Sequence, residues 1–287
     1  MTASPALLLL VYCLAIAGFS LVGGLLPNWV QMTHTRTQLV MSFVSGLMLG
    51  VAFYHLLPHS VAMQGSAGAV DISVWWLMVG LVGMLLLLRL FHFHKHDFSG
   101  EEEQLHDHHS HHHNHGHAQV APASRLSWVG IALGLALHTL IDGVALGAVM
   151  LGDHGQVAGV AGIGVFLAIL LHKPLDAMSI STIMEAGGWS RGERATANLV
   201  FALMCPLGAL LFFFGVDLLA DTRSHVVAAA LAFSAGAFIC IALSDLLPEV
   251  HFHSHDRGKL TLVFLLGIAL AYAIGSVEPA ATHPGGH

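Results

Sequence analysis

Apolar residues along this chain come in long, nearly unbroken runs instead of the alternating or 3.6-residue stripes of a water-exposed domain. Eight runs, at about 6–26, 38–61, 73–93, 127–151, 157–183, 195–220, 225–250 and 260–278, each supply the roughly 20 residues that a helix needs to cross a hydrocarbon core about 30 Å thick. Backbone N–H and C=O groups find no water in lipid, so continuous runs of this length predict helices. The expected fold is all-α and polytopic, with eight transmembrane helices. Only a few residues around Asp221 and Arg223 separate the sixth and seventh runs, which leaves that boundary soft.

Composition sharpens the class. The chain is 55% hydrophobic and 9% charged, with a mean hydropathy of +0.74, whereas soluble domains carry about 25% charged residues. Ten Lys and Arg against 17 Asp and Glu give −7, which excludes a nucleic-acid binder that needs a basic surface. Cys13, Cys205 and Cys240 all lie in apolar runs and predict neither a disulfide framework nor a paired-cysteine zinc knuckle. No basic segment precedes the first run, so it reads as a retained span and not as a cleaved leader. Arg36, Arg89, Lys95, Arg125, Arg191, Arg194, Arg257 and Lys259 flank the odd-to-even connections, and Arg223 alone flanks the other side. The positive-inside rule then places both termini outside a cell membrane and the third connection in the cytoplasm.

That third connection is the one long one. The expected organisation is residues 1–91 for spans 1–3, 92–126 for a histidine-rich cytoplasmic loop that cannot bury a core, and 127–287 for spans 4–8. Between His92 and His117 the loop holds eleven of the chain's 23 histidines, among acidic residues. Neutral imidazoles at that density suit loose binding of a divalent metal, with a plain solvated linker as the alternative.

Spans 2 and 7 align without gaps at an offset of 190, pairing Phe43 with Phe233, Gly46 with Gly236, and Leu56-Leu57-Pro58 with Leu246-Leu247-Pro248. His55 and His59 fall opposite Asp245 and Glu249. Opposite span directions make the copies an inverted repeat, a common secondary-transporter architecture. A 3+2+3 arrangement leaves spans 4 and 5 in the centre. Both carry His-x-x-x-Asp, as His138 with Asp142 and His172 with Asp176. Four-residue spacing stacks the two side chains on one helix face, so two such faces make a four-ligand cage. Ionisable groups at mid-bilayer are costly unless they pair or bind metal, and imidazole with carboxylate suits Zn²⁺ or a neighbouring ion. Pro174 frees a helix bond beside the site. Thr139 and Lys173 each follow a histidine by one residue and point toward an adjacent subsite, where an ammonium can stand as a counter-charge. The alternative for Lys173 is a lysine snorkelling to an interface.

These residues resemble the ZIP (Zrt/Irt-like protein) family of divalent-metal transporters. The likeness rests on eight spans, a histidine-rich third loop, HTLIDG in span 4, HKPLD in span 5 and DLLPE at 245–249. It implies that His138, Asp142, His172 and Asp176 form the primary metal site and that Met48 adds a soft ligand, with a core methionine as the alternative; Met48, His55 and His59 share one helix face. Thr139, Lys173 and Cys205 stand where relatives with a second metal carry ligands, so a single-metal site is expected.

The predicted function is uptake of a divalent ion, Zn²⁺ first and Cd²⁺, Mn²⁺ or Fe²⁺ as others, by alternating access. His55 and His59 would line the entrance, and Asp245, Glu249, His251, His253 and His255 the exit. Expected partners are divalent ions and the bilayer, with a homodimer as the assembly considered. Two rivals are a cation-diffusion exporter, which usually has six spans and a cytosolic C-terminal domain, and an intramembrane zinc hydrolase, whose general-base glutamate is replaced here by Lys173. No enzyme activity is expected.

Overall fold

A computed structural model describes residues 4–29, 34–65, 68–92, 125–152, 162–219, 222–246 and 257–277. The helices are α1 (Pro5–Trp29), α2 (His34–Val51), α3 (Leu57–Gln64), α4 (Ala69–His92), α5 (Arg125–Gly152), α6 (Ile163–Ala186), α7 (Arg191–Gly215), α8 (Arg223–Ile241) and α9 (Arg257–Val277). A π-helical turn, Ala52–Leu56, joins α2 to α3 as one span, and a second, Ala242–Leu246, extends α8. Among the described residues there is no strand, and eight helical spans are long and apolar enough to cross a membrane. The fold is all-α, and the span positions agree with the apolar runs. The histidine-rich segment lies almost wholly outside the described residues.

Two local departures have physical causes. The fifth run predicts a helix from 157, but α6 begins at Ile163 because Gly162 takes a left-handed conformation (φ +65°) before it. A side chain at Gly162 would also run into Val149. The π turns have a cause in proline. Pro58 has no N–H to give the carbonyl of Tyr54, and its ring would crowd that oxygen in a regular helix. The chain widens just before it, with the Leu57 N–H donating to the Ala52 carbonyl. The second turn stands 190 residues later, in the same register ahead of Pro248.

Helices pack in pairs: α2 along α9, α4 along α8, α5 along α7 and α1 along α6. Small residues allow backbones to touch. Gly46 abuts the Phe264 carbonyl and Gly267 that of Phe43, while Gly236 abuts the Leu77 carbonyl and Gly80 that of Phe233. Serine hydroxyls tie the spans further. Ser42 donates to the Leu260 carbonyl (2.7 Å), Ser45 to that of Ala242 (2.8 Å) and Ser60 to that of Ala228 (2.8 Å). The continuous α2–α3 span, α5 and α8 are the most enclosed, whereas α4 and α9 turn much of their surface outward. Leu14, Trp75, Leu86, Leu211, Leu265 and Tyr272 are exposed, a surface suited to acyl chains.

Candidate metal centre

The centre forms where α5 meets α6. Gly143 of α5 sits against the Cys205 carbonyl of α7, Gly208 of α7 against the Leu140 carbonyl, and Gly23 of α1 against the backbone of Pro174. The imidazole rings of His138 and His172 lie 5.7 Å apart.

Four side chains converge, as the two His-x-x-x-Asp faces predict. His138 Nε2 lies 3.5 Å from Asp142 Oδ2 and 3.5 Å from Asp176 Oδ2. His172 Nε2 lies 3.2 Å from Asp142 Oδ2 and 3.8 Å from Asp176 Oδ2. His138, Asp142 and His172 are buried, and their ligand atoms all fall within 4.8 Å of one another. The Asp176 side chain is 12% exposed. A tetrahedral zinc ion bonded at about 2.0–2.1 Å requires ligand atoms about 3.3–3.4 Å apart. The four N···O edges, 3.2–3.8 Å, bracket that value, and the group with all its ligand atoms within 4.8 Å of one another is His138, Asp142 and His172, with Asp176 beside it.

The donor count points the same way. A carbonyl only accepts, so the 2.8 Å bond between His172 and the Ala168 carbonyl places a proton on Nδ1. A neutral His172 therefore turns the Nε2 lone pair toward a carboxylate oxygen, an unfavourable contact unless a proton or metal ion stands between them. Buried Asp142 Oδ1 has no hydrogen-bond partner, and neither has His138 Nδ1, which carries the ring proton when Nε2 turns its lone pair toward the carboxylates. The cluster holds more acceptors than the surrounding protein satisfies, as a cation site requires.

Lys173 supplies the fixed positive charge. Its ammonium donates to Asp142 Oδ2 (2.5 Å), Asp176 Oδ2 (3.1 Å) and Thr139 Oγ1 (3.1 Å). The side chain is 1% exposed, so it does not snorkel. It reaches past a neighbouring subsite onto the carboxylates themselves. The Phe201 ring lies under the ammonium, 5.5 Å from its centroid. Cys205 is fully buried on α7, within electrostatic reach of Lys173 and Asp142. Phe201 escaped the sequence reading. Its one signal is that it precedes Cys205 by four residues and so shares its helix face. The Phe238 ring, set edge-on to His172 at 6.5 Å, gives no sequence signal.

The remaining candidates have surroundings of their own. Met48 is fully buried in the apolar core on α2. His55 sits in the first π turn, buried, with Nε2–H donating to the Ala271 carbonyl at 2.8 Å and its ring beside Gly164 and Gly275. His59 is half-buried one turn on, and its Nδ1–H donates to the His55 carbonyl at 2.9 Å. Asp245 lies on the second π turn. Glu249, His251, His253 and His255 fall outside the described residues.

A family model described as ZIP Zinc transporter matches residues 89–275, about two thirds of the chain. Zinc transporter ZIP9-B of Xenopus laevis is 35% identical over 133 residues, covering 44% of this chain and 43% of that protein. Zinc transporter ZIP9 of Micropogonias undulatus is 36% identical over 136 residues, covering 44% and 42%. Zinc transporter ZIP1 of Danio rerio is 27% identical over 134 residues, covering 47% and 42%. The matched stretch spans less than half the length of these relatives. The chain belongs to the ZIP zinc transporter family and is a multi-pass membrane protein.

Proposed function

From membership of that family, we propose that this chain carries zinc across a membrane toward the cytoplasm through the cluster of His138, Asp142, His172 and Asp176. One observation carries the reading. Each of two imidazole nitrogens stands 3.2–3.8 Å from each of two carboxylate oxygens on adjacent spans, near the ligand spacing of a tetrahedral site. Met48, on the helix that also packs against α6, is the candidate further ligand. The hydrolase alternative meets a lysine ammonium where a general base is needed.

Alternating access calls for two bodies that can move against each other. An inverted 3+2+3 repeat is supported by the two π turns at an offset of 190. It gains support from the reciprocal glycine contacts, since Gly46 meets α9 as Gly236 meets α4. In this reading α2, α4, α8 and α9 form one body and α1, α5, α6 and α7 the other, and the second carries all four ligands. Both termini face outward at the cell membrane. His59 receives the ion at the outer end, and His55 takes part by releasing the Ala271 carbonyl. Asp245, Glu249, His251, His253 and His255 pass it to the loop histidines. A relay of moderate sites lets an ion enter and leave.

The test is zinc uptake into proteoliposomes by the wild type, His172→Ala and Asp176→Ala, with Cd²⁺, Mn²⁺ and Fe²⁺ as competitors. Uptake by the wild type and its loss in both variants is expected; equal flux in all three proteins refutes the assignment.

A further inference from the structure

Lys173 occupies the same two oxygens that the proposed tetrahedron uses. An ammonium has three N–H donors, and here each meets an acceptor: Asp142 Oδ2, Asp176 Oδ2 and Thr139 Oγ1. The Phe201 face closes another side. Nothing about the position is incidental to the carboxylates, and its consequence is electrostatic.

Counting formal charges with neutral imidazoles, the empty cluster of two aspartates and one lysine carries −1, and the cluster holding a dication carries +1. Without the lysine charge the values become −2 and 0. The cost of holding charge in a low-dielectric medium rises with the square of the net charge. The native cluster is therefore equally charged in both states, whereas a cluster lacking the ammonium favours the loaded state and strongly penalises the empty one.

We propose that Lys173 is a built-in counter-cation that lets the empty carrier return: it weakens the hold on zinc and keeps the vacated cluster from crossing as a double anion. The proposal rests on the transport reading above and assigns Lys173 a positioning and charge-balancing role in it. Lysine and metal share the carboxylates, so the residue acts on both halves of the cycle. Net uptake needs the loaded carrier to cross inward and the empty one to return. Tracer exchange, with zinc on both sides, needs only loaded crossings. The two assays separate the steps.

Wild type, Lys173→Met and Lys173→Arg are compared in zinc-loaded proteoliposomes. In Lys173→Met the ratio of exchange to net uptake rises by roughly tenfold or more, the scale of one unit of charge in a buried pocket. Zinc binds it more tightly. Exchange responds to membrane potential in the wild type, whose loaded cluster carries +1, and ceases to respond in Lys173→Met, whose loaded cluster is neutral. Lys173→Arg restores the wild-type ratio. If Lys173→Met does not fold, Lys173→Gln makes the same comparison while keeping a donor to the carboxylates. An unchanged ratio in the neutral variant, or an arginine variant that behaves like it, overturns the proposal. Wild-type vesicles that show neither exchange nor uptake instead overturn the transport reading.

Discussion

The most direct thermodynamic check on the buried cluster is Lys173→Met with zinc removed by a chelator. Neither Lys173 nor Asp142 has appreciable contact with solvent, and the ammonium lies 2.5 Å and 3.1 Å from the two aspartate oxygens. With an effective dielectric of about 20, these contacts amount to about 6–7 and about 5 kcal/mol of gross attraction. Removing the ammonium from water offsets several kcal/mol of that. The expected net loss is about 3–5 kcal/mol, the range found when one partner of a buried pair is deleted. Zinc should narrow the gap between the two proteins without closing it. Wild-type protein at a free zinc concentration of about 100 times its Kd gains about 2.7 kcal/mol. A variant that binds roughly tenfold more tightly gains about 1.4 kcal/mol more at the same zinc concentration. Denaturant titration in detergent, with chelator and then with buffered zinc, reads both quantities. Equal stability of the two proteins in chelator, or a smaller zinc shift in the variant, refutes the electrostatic account.

Two further outcomes follow from the packing and the ligand chemistry. Gly46→Ala and Gly236→Ala each force a β-carbon onto a neighbouring carbonyl; each should lower the unfolding midpoint by an amount equivalent to about 1–3 kcal/mol, while Gly18→Ala, with open space around it, should not destabilise. Zinc occupancy, followed by equilibrium dialysis, should fall as the solution is acidified, because an imidazole nitrogen cannot hold a proton and a metal together; occupancy indifferent to acid would remove His138 and His172 from the ligand set.

Much of this architecture is written in the chain because the bilayer fixes the length of each element. The apolar runs locate the helices to within a few residues at most ends. The fifth span is the exception: its run continues through Gly162, where a left-handed backbone rather than polarity starts the helix. The His-x-x-x-Asp pairs are legible for a similar reason, since four residues on any helix return to the same face. Helix geometry, however, fixes where a β-carbon points and not where a long side chain ends. Lys173 projects about 100° from His172, which suggests a neighbouring subsite, yet its flexible stem carries the ammonium back onto Asp142 and Asp176. The π turns are half legible. Pro58 signals that an oxygen must be accommodated upstream, but whether the helix kinks, breaks or widens depends on the neighbours it packs against.

The contrast between scaffold and cluster is itself an argument about where function resides. In the scaffold, polar side chains are spent on backbone carbonyls: Ser42, Ser45 and Ser60 each close a bond to another span, and glycines let carbonyls lie against facing helices. Such contacts fix one arrangement and leave little chemistry free. Isolated unpartnered hydroxyls occur as well, Ser234 Oγ among them. Only at the α5–α6 junction, among the described residues, do unpaired buried atoms on His138 and Asp142 coincide with a second imidazole, a second carboxylate and an ammonium that bridges both acids. A sequence selected for stability alone would replace such a cluster with apolar residues of similar volume, often at no cost. Its retention inside enclosed spans is explained if the missing partner is an ion that arrives and leaves. The same excess of acceptors that burdens the fold then provides the difference in free energy between the loaded and empty carrier.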